Sequence, residues 1–553
     1  MKLTIDEGRQ WTVASLNLEG VDEADRQYVM SFLHCTPGQP VSEFNVANDR
    51  DNVLAYYYNN GYPNATFDWS ESPASEERKV NLRYILHPGN RELVRRVIIN
   101  GLKATRPGIV DERIEVHAGD PVSRIKIADA QRRLYDLGIF AKVQTAVQNP
   151  EGQEPSKYVL YQIEEARRYS MNIGFGAELG RIGSGVTTFD APAGTTGFSP
   201  RVSLGVSRLN VLGLGHTVSL QTRFSTLQQR ALLSYIAPQF QGSDKLNLTF
   251  SGLYDNSHDV QTYAARRLEG SIQLQHRITR AEALQYRFTY RDVFVDPNSL
   301  KINPQLIPIL WQSVRVGLVA MSLISDRRDD PTDAHRGTYQ TVDLGYASGA
   351  LGSETTFFRL VYRNSTYYPL RRDWTFARTT TFGTINRIAG LPDIPGPELF
   401  FSGGAYSNRA FPDNQAGPRD PITGFPLGGK AVLMNSLELR FPLLGDNVGG
   451  VLFHDMGNVY TSVSDISLRF RQRDVTDFDY AVHGFGFGIR YRTPLGPIRA
   501  DFSLSPNSPR FVGYQGTRDE LLVCSAPGAV PPCQSVPQRI NIFQFHFSLG
   551  QAF

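Results

Sequence analysis

The final segment of the chain, INIFQFHFSLGQAF (540–553), alternates between apolar and polar side chains. The two parities are Phe543, Phe545, Phe547, Leu549 and Phe553 on one side and Gln544, His546 and Ser548 on the other. A period of two predicts a β-strand with one apolar and one polar face. An apolar strand at the end of a chain is typical of a closed barrel, because pairing the last strand with the first leaves no exposed edge.

The same alternation of apolar and polar residues extends back to Tyr169, in segments that are separated by turns and without a convincing helix. We predict sixteen strands at 169–179, 201–209, 214–226, 229–238, 245–256, 262–277, 282–293, 311–325, 337–348, 354–368, 373–388, 431–442, 449–460, 482–492, 496–505 and 539–551. Short turns and long loops alternate between them, as in an antiparallel transmembrane barrel, which we place at 168–553. A soluble β-sandwich is the alternative, but it needs neither sixteen strands nor a terminal Phe553.

An internal repeat precedes this region. Gly38-Gln-Pro-Val-Ser42 recurs as Gly119-Asp-Pro-Val-Ser123, and each Ser is a candidate helix N-cap. Periodicity predicts β-α-α-β-β twice, in modules at 10–89 and 90–167, so the fold class is α+β modules followed by a β-barrel.

Composition narrows the classes of function. The 553 residues carry 57 Lys+Arg against 54 Asp+Glu, which argues against a nucleic-acid partner. No apolar run reaches the length of a transmembrane helix, about 18 residues, although a barrel does not require one. The first residues, MKLTIDEGRQ, lack the apolar stretch of a secretory leader, so we expect the leader to have been removed or to be encoded upstream.

Few residues are candidates for a disulfide or for a nucleotide, metal or catalytic site. Cys524 and Cys533 flank a Pro-rich stretch and are predicted to form a disulfide, which leaves Cys35 unpaired and buried. The stretch Gly424–Lys430 fits G-x4-G-K, but Ala431 follows where a Ser or Thr should hold magnesium, so we predict no nucleotide site. The histidines lack metal-ligand spacing, and we expect no catalytic residues, no metal and no cofactor.

Several motifs carry a resemblance to a known family. The repeated turn and Tyr57-Tyr58-Asn59-Asn60-Gly61-Tyr62 resemble POTRA domains. Four further stretches resemble the outer-membrane insertase superfamily of BamA and TamA type and its two-partner secretion relatives: SDRRDDPTDAHRGTY (325–339), FFSGGAYSNRAFPDNQAGPRDP (400–421), NSLELRFP with GGVLFHDMGNVY (435–460) and GFGIRYRTPLGPIRADFSLSP (486–506). The resemblance implies POTRA domains in the periplasm and a sixteen-stranded barrel in the bacterial outer membrane.

The resemblance also implies a site in the barrel lumen. In that family a long loop, here 389–430, folds inward, and its tip Arg contacts acidic wall residues. The matching residues are Arg409, followed by Phe411, and Glu438 and Asp455 on the wall. Ala410 replaces the usual Gly, so a positive φ there would cost about 1 kcal/mol and we expect the tip to bend differently.

A second candidate site is the seam between the first and last strands. Gly174 and Gly176 should weaken the first strand, and Gly550, close to Phe553, matches a family position where the last strand can kink. Weak pairing would make a lateral gate at which a client strand pairs with the first strand. The alternative is that these glycines only relieve barrel curvature.

The function implied by the resemblance is assembly of outer-membrane proteins. POTRA domains would capture unfolded β-barrel precursors from periplasmic chaperones, and the seam would open to insert them into the lipid bilayer. Accessory lipoproteins or an inner-membrane partner fit the same scheme. The alternatives are a two-partner-type or TamA-like pore that exports a polypeptide, and a passive porin; the choice between BamA type and TamA type stays open.

Overall fold

The structure of the chain is a computed structural model. It describes residues 10–149, 154–182, 189, 192–258, 260, 262–303, 313–371, 373–388, 393–445, 447–493, 496–529 and 532–549. Two compact units divide the chain: the first runs up to Arg168 and also includes Leu209–Gly215, and the second comprises Tyr169–Arg208 and the residues from His216 onward.

The first N-terminal module consists of β1 (Thr12–Glu19), α1 (Glu23–Met30), α2 (Glu43–Asn59), β2 (Thr66–Pro73) and β3 (Lys79–His87). Its sheet has the order β1-β3-β2, in which β1 is parallel and β2 antiparallel to β3. The helices cover one face of the sheet, and the apolar core between them includes Val46, Val53, Tyr57, Leu82 and Tyr84.

One buried carboxylate organises the first module. Asp49 on α2 accepts hydrogen bonds from the backbone N–H of His34 at 2.6 Å, from that of Cys35 at 3.0 Å and from the hydroxyl of Tyr84 at 3.2 Å. These bonds satisfy the buried charge and tie the segment after α1 to α2 and β3. Cys35 is a buried free thiol beside it.

The second N-terminal module repeats the order with β4 (Leu93–Asn100), α3 (Pro107–Asp111), α4 (Arg124–Asp136), β5 (Phe140–Val147) and β6 (Ser156–Glu165). Its sheet order, β4-β6-β5, is equivalent to that of the first. The repeated turn serines differ, however. Ser123 accepts the backbone N–H of Lys126 at 3.2 Å, whereas Ser42, also at a helix N-cap, makes no side-chain capping bond.

Sixteen strands close the barrel within the described part of the chain. They are β7 (Tyr169–Ile182), β8 (Thr195–Val211), β9 (His216–Ser225), β10 (Gln228–Ala237), β11 (Leu246–Ser257), β12 (Ala265–Arg277), β13 (Glu282–Val295), β14 (Val314–Asp326), β15 (Gly337–Ala347), β16 (Phe357–Arg371), β17 (Trp374–Arg387), β18 (Ala431–Leu444), β19 (Val448–Tyr460), β20 (Val482–Thr493), β21 (Gly496–Leu504) and β24 (Phe543–Leu549). Each strand neighbours the next, and β24 returns to β7. The predicted fold class and every predicted barrel strand are therefore confirmed, with shifted ends.

The segment between β21 and β24, predicted as a loop, contains regular structure. It forms β22 (Arg510–Tyr514), α5 (Arg518–Cys524) and β23 (Ser535–Arg539), and β22 pairs antiparallel with β23. Thr517 and Glu520 start α5 with a reciprocal capping box. The structure joins Cys524 to Cys533 in a disulfide.

The period of two separates the two surfaces of the barrel wall. On β20 the side chains of Phe485, Ile489 and Tyr491 point outward and are exposed, as an apolar lipid-facing band requires. On β24 the opposite parity, with Gln544 and His546, points inward and is buried. The loop between β17 and β18 lies against this inner face.

Among the described residues, no helix is both long and apolar enough to cross a bilayer.

Candidate functional site

The loop between β17 and β18 is fixed at its base. Phe400 and Gly429 exchange backbone hydrogen bonds of 2.8 and 3.0 Å, so the loop leaves and returns through one narrow neck. The carboxylate of Glu398 in this neck pairs with the guanidinium of Arg291 on β13, and both residues are buried. The described part of the loop, 393–430, is thus held to one wall of the barrel before its tip reaches another.

The tip begins with Asn408, which shapes the turn and docks it. Its side-chain oxygen accepts the backbone N–H of Ala410 at 3.0 Å. Its amide nitrogen donates to the carbonyls of Gly457 at 3.1 Å and Val482 at 3.0 Å, on β19 and β20. One fully buried amide therefore fixes both the local conformation and the position of the tip.

Arg409 is the main contact of the tip with the wall. Its Nε donates to Oδ2 of Asp455 at 2.7 Å and its Nη2 to Oδ1 at 2.8 Å, a bidentate pairing. The backbone N–H of Arg409 donates to the same Oδ2 at 2.9 Å. Arg409 is 3% exposed and Asp455 0% exposed. The charges are consequently screened little by water, and each depends on the other for its burial.

Glu438 and Phe453 complete the surroundings of the guanidinium. Nη1 of Arg409 donates to Oε1 of Glu438 at 2.9 Å, and Arg440 donates to the other oxygen of that carboxylate. Ser436 accepts from Nη2 at 3.1 Å and donates to Asp455 at 2.7 Å. The guanidinium carbon lies 3.5 Å from the centre of the Phe453 ring, close enough for a cation–π contact.

A third acid extends the network to the next strand pair. Oδ1 of Asp501 on β21 lies 3.8 Å from Nη1 of Arg409 and 2.8 Å from Nη2 of Arg490 on β20. The arginines 409, 440 and 490 thus pair with Glu438, Asp455 and Asp501 in one connected network. Sequence reasoning missed Asp501, Arg440 and Arg490, although each sits at an inward-facing position of a predicted strand.

The substitution at the tip is accommodated without a left-handed backbone. Within the described residues, Asn414, with φ of 56°, and several glycines of the loop adopt positive φ, whereas Ala410 does not. Ala410 is fully buried, and space for it comes from the wall. A Cβ added to Gly484 on β20 would lie 3.0 Å from Cβ of Ala410 and 3.1 Å from its nitrogen. Glycine at position 484 therefore permits the close approach.

The residues around Asp455 follow its parity. Val451 and Phe453 are buried on the inner face, as expected if Asp455 points inward. His454 has the opposite parity and is half-buried against other rings. It stacks on Phe485 with ring centres 4.5 Å apart, and its Nε2 lies 3.0 Å from Nδ1 of His483. Phe411 is fully buried in the apolar cluster that includes Met434, Val459 and Val482.

The seam between β7 and β24 is described by a few backbone pairs. Within the described residues, β24 meets β7 only at Phe547↔Leu179, Ser548↔Glu178 and Leu549↔Ala177. On its other side β24 pairs with β21 along its whole length. Gly174 and Gly176 lie on β7 just before the paired segment, whereas Gly550 and Phe553 fall outside the described residues. The first strand also presents Tyr169, Met171, Ile173 and Phe175 outward.

Among the described residues, no cluster of His, Cys, Asp or Glu has the arrangement of a metal site. Lys430, the last residue of the G-x4-G-K stretch, pairs with Asp393 at 2.9 Å.

A sixteen-stranded barrel with a loop anchored on its inner wall, preceded by β-α-α-β-β modules, defines the class of outer-membrane β-barrel proteins with periplasmic POTRA domains. Residues 210–553 match the Omp85 superfamily domain, and residues 93–166 match the POTRA family, described as a surface antigen variable number repeat. The chain belongs to the Omp85 superfamily. It lies in the outer membrane with its POTRA region in the periplasm.

Individual proteins show how far the likeness extends. The outer membrane protein assembly factor BamA of Nitratidesulfovibrio vulgaris is 23% identical over 456 residues, which cover 81% of this chain and 53% of that protein. Two solved structures share the fold. BamA from Haemophilus ducreyi lacking POTRA domains 1–3 has a TM-score of 0.66 at 17% identity, covering 98% of this chain and 99% of that one. CdiB from Acinetobacter baumannii has a TM-score of 0.51 at 13% identity, covering 99% and 91%. The chain spans about half the length of the curated relative.

Proposed function

We propose that this protein is an outer-membrane assembly factor that inserts β-barrel precursors by opening the seam between β7 and β24. The observation that carries the proposal is the unequal attachment of β24, which pairs along its whole length with β21 but at three described positions with β7. At about 1 kcal/mol per net hydrogen bond, separating the three described pairs requires only a few kcal/mol. The matching BamA of Nitratidesulfovibrio vulgaris is named an assembly factor, in keeping with a role that is not enzymatic.

Capture of the client would use the N-terminal modules. Strands β2 and β5 lie at sheet edges, and the side chains of β2 are almost all exposed. An unfolded precursor delivered by periplasmic chaperones can add a strand to such an edge through main-chain hydrogen bonds, which ignore sequence. Accessory lipoproteins or an inner-membrane protein would join as further partners, and neither nucleotide nor nucleic acid takes part. The driving force would be folding of the client in the bilayer.

The test is a disulfide across the seam. Glu178 and Ser548 face each other in the register, so the pair Glu178→Cys and Ser548→Cys should cross-link under oxidation. Insertion of a precursor into liposomes that contain the protein should then stop and should return after reduction. The matched control is Ser251→Cys with Ser271→Cys, which are opposed on β11 and β12 and hydrogen-bonded at 2.7 Å. Equal activity of the oxidised seam variant and the oxidised control would refute lateral opening.

Export of a polypeptide through the lumen is the second candidate, because the chain also shares its fold with CdiB. An exporter would have to withdraw the loop tip from the lumen, since the tip is bound to the inner wall at Asp455. Depletion in cells separates the two functions. General loss of outer-membrane proteins supports insertion, whereas loss of one secreted protein with a normal outer membrane supports export.

A further inference from the structure

The last strand touches the loop tip from the inside of the barrel. His546, at the centre of β24, points inward and is 4% exposed. Its Nε2 lies 3.2 Å from the carbonyl oxygen of Arg409, a distance that fits donation of the ring N–H to this carbonyl. The guanidinium of the same Arg409 is bound to Asp455 on β19. A single residue of the loop therefore joins β19 to β24.

Two residues beside His546 have partners other than the loop tip. Asp501 on β21 is directly opposite in the register and is paired with Arg490. The neighbouring inward residue of β24, Gln544, donates to the carbonyl of Asn541 at 2.8 Å, within its own segment. Of these two residues, only His546 connects the closing strand to the loop tip.

We propose that His546 is a positioning residue that couples seating of the loop tip to closure of the seam. Within the described residues, β24 pairs with β21 along its whole length and with β7 at three positions, so an additional contact on its inner face restrains it. When the tip leaves the wall, β24 loses this partner and separates from β7 more readily. By reciprocity of linkage, opening of the seam must weaken seating of the tip by the same factor.

The test measures the seam directly, without a client. Nitroxide labels replace the outward-facing Phe175 on β7 and Phe545 on β24, in a Cys35→Ser background, and the distance between them is recorded in liposomes by pulsed electron resonance. His546→Phe removes the donor and keeps a ring. It should raise the population of the long, open distance roughly fivefold, the factor that corresponds to one net hydrogen bond of about 1 kcal/mol.

Two further variants serve as controls for the effect of His546→Phe. His546→Gln offers an N–H at similar reach and should return the distance distribution towards that of the wild type. Gln544→Leu, the control on the same face of β24, should leave the distribution unchanged. If His546→Phe and Gln544→Leu open the seam equally, or if neither does, His546 is not a specific restraint and the proposal fails.

The coupling itself is tested with Asp455→Asn, which loosens the tip. In that background His546→Phe should add little further opening, because its partner is already displaced. An undiminished fivefold effect would mean that His546 acts locally, and it would overturn the coupling. The proposal builds on the proposed opening at the seam, but the readout is a distance and not insertion. Failure to insert clients would therefore be distinguishable from failure of the coupling.

Discussion

The loop tip and the seam are two contacts of the same barrel wall, and they differ in whether side chains or backbone groups make the contact. At the tip, Arg409 is buried and bound through its side chain and backbone to strands β18, β19 and β24. At the seam, the described contact between β24 and β7 is a ladder of three residue pairs. The first contact depends on particular side chains, and the second depends mainly on backbone groups.

We expect the loop tip to contribute to the stability of the barrel and the seam to allow strands to separate. A buried ion pair is strongly destabilised when one partner is lost, so the tip is expected to tolerate little change. A short ladder can open and re-form, because the same backbone groups can pair with any other strand. Perturbing the tip should therefore change stability, whereas perturbing side chains at the seam should change it little. The following predictions test that division, in decreasing order of expected effect.

The largest effect is expected for Asp455→Ala. This change leaves the guanidinium of Arg409 buried without its bidentate partner, and we expect the free energy of unfolding to fall by about 3–5 kcal/mol. Urea unfolding in detergent micelles, followed by tryptophan fluorescence, measures the loss. The control is Glu354→Ala, which breaks an exposed pair with Arg315 and should cost less than about 1 kcal/mol. Similar losses for the two variants would show that the tip is not a distinctive contact.

Gly484→Val tests the tip by volume and not by charge. A Cβ added at this position would lie 3.0 Å from that of Ala410, so the larger side chain must displace the tip or the strand. We expect a loss of about 1–3 kcal/mol in the same urea experiment. Gly252→Val on β11 is the matched control, since an added Cβ there meets no described atom within 4 Å. A Gly484 variant as stable as this control would contradict close packing at the tip.

Glu165, in the second N-terminal module, is a carboxylate that is stabilised by N–H and O–H donors, whereas Asp455 is stabilised by a cation. Burial would raise the pKa of this carboxylate, but hydrogen bonds from the backbone N–H groups of Lys103, Ala104 and Thr105 and from the Thr105 hydroxyl lower it from 4.5 to about 2. Because the folded-state pKa is depressed, the stabilisation is full above the unfolded-state pKa, near 4.5, and is lost as the pH falls towards 2.

The expected size is about 1 kcal/mol, since the carboxylate is partly open to screening water. Hydrogen exchange of amides 103–105, corrected for intrinsic rates, should show protection that decreases in the wild type as the pH falls from about 4.5 towards 2, the window between the unfolded-state and folded-state pKa values. Glu165→Gln should be less protected at pH 7 and nearly insensitive to this change. Parallel curves for both proteins would contradict the role of the carboxylate.

The features that sequence predicted best are those with a local repeat. The period of two located every barrel strand, because alternation between lipid and lumen is imposed on each strand separately. The capping box of Thr517 and Glu520 was also present as a local signal, but α5 was overlooked inside a long polar segment. Ser42 and Ser123 occupy equivalent turns, yet only Ser123 makes a capping bond, a difference of side-chain orientation that the repeated motif does not encode.

The candidate site was predicted in part for a related reason. Family motifs brought together Arg409, Glu438 and Asp455, but Asp501 and Arg490 had to be found by extending the inward parity to neighbouring strands. The contact between His546 and Arg409 uses a backbone carbonyl, and a carbonyl leaves no trace in the identity of its residue. Such contacts depend on how the loop is folded and are visible only in three dimensions.

The smallest effects come from the same substitution made in both regions, Ser436→Ala at the tip and Ser548→Ala at the seam. Ser436 bridges Arg409 and Asp455, so its removal should cost about 1 kcal/mol in the urea experiment. Ser548 takes part in the ladder through its backbone, and its replacement should change stability by less than about 0.5 kcal/mol. Each variant serves as the other's control, because both remove one inward-facing hydroxyl from a barrel strand. A larger loss for Ser548→Ala than for Ser436→Ala would reverse the comparison and assign the seam a side-chain contribution that the tip lacks.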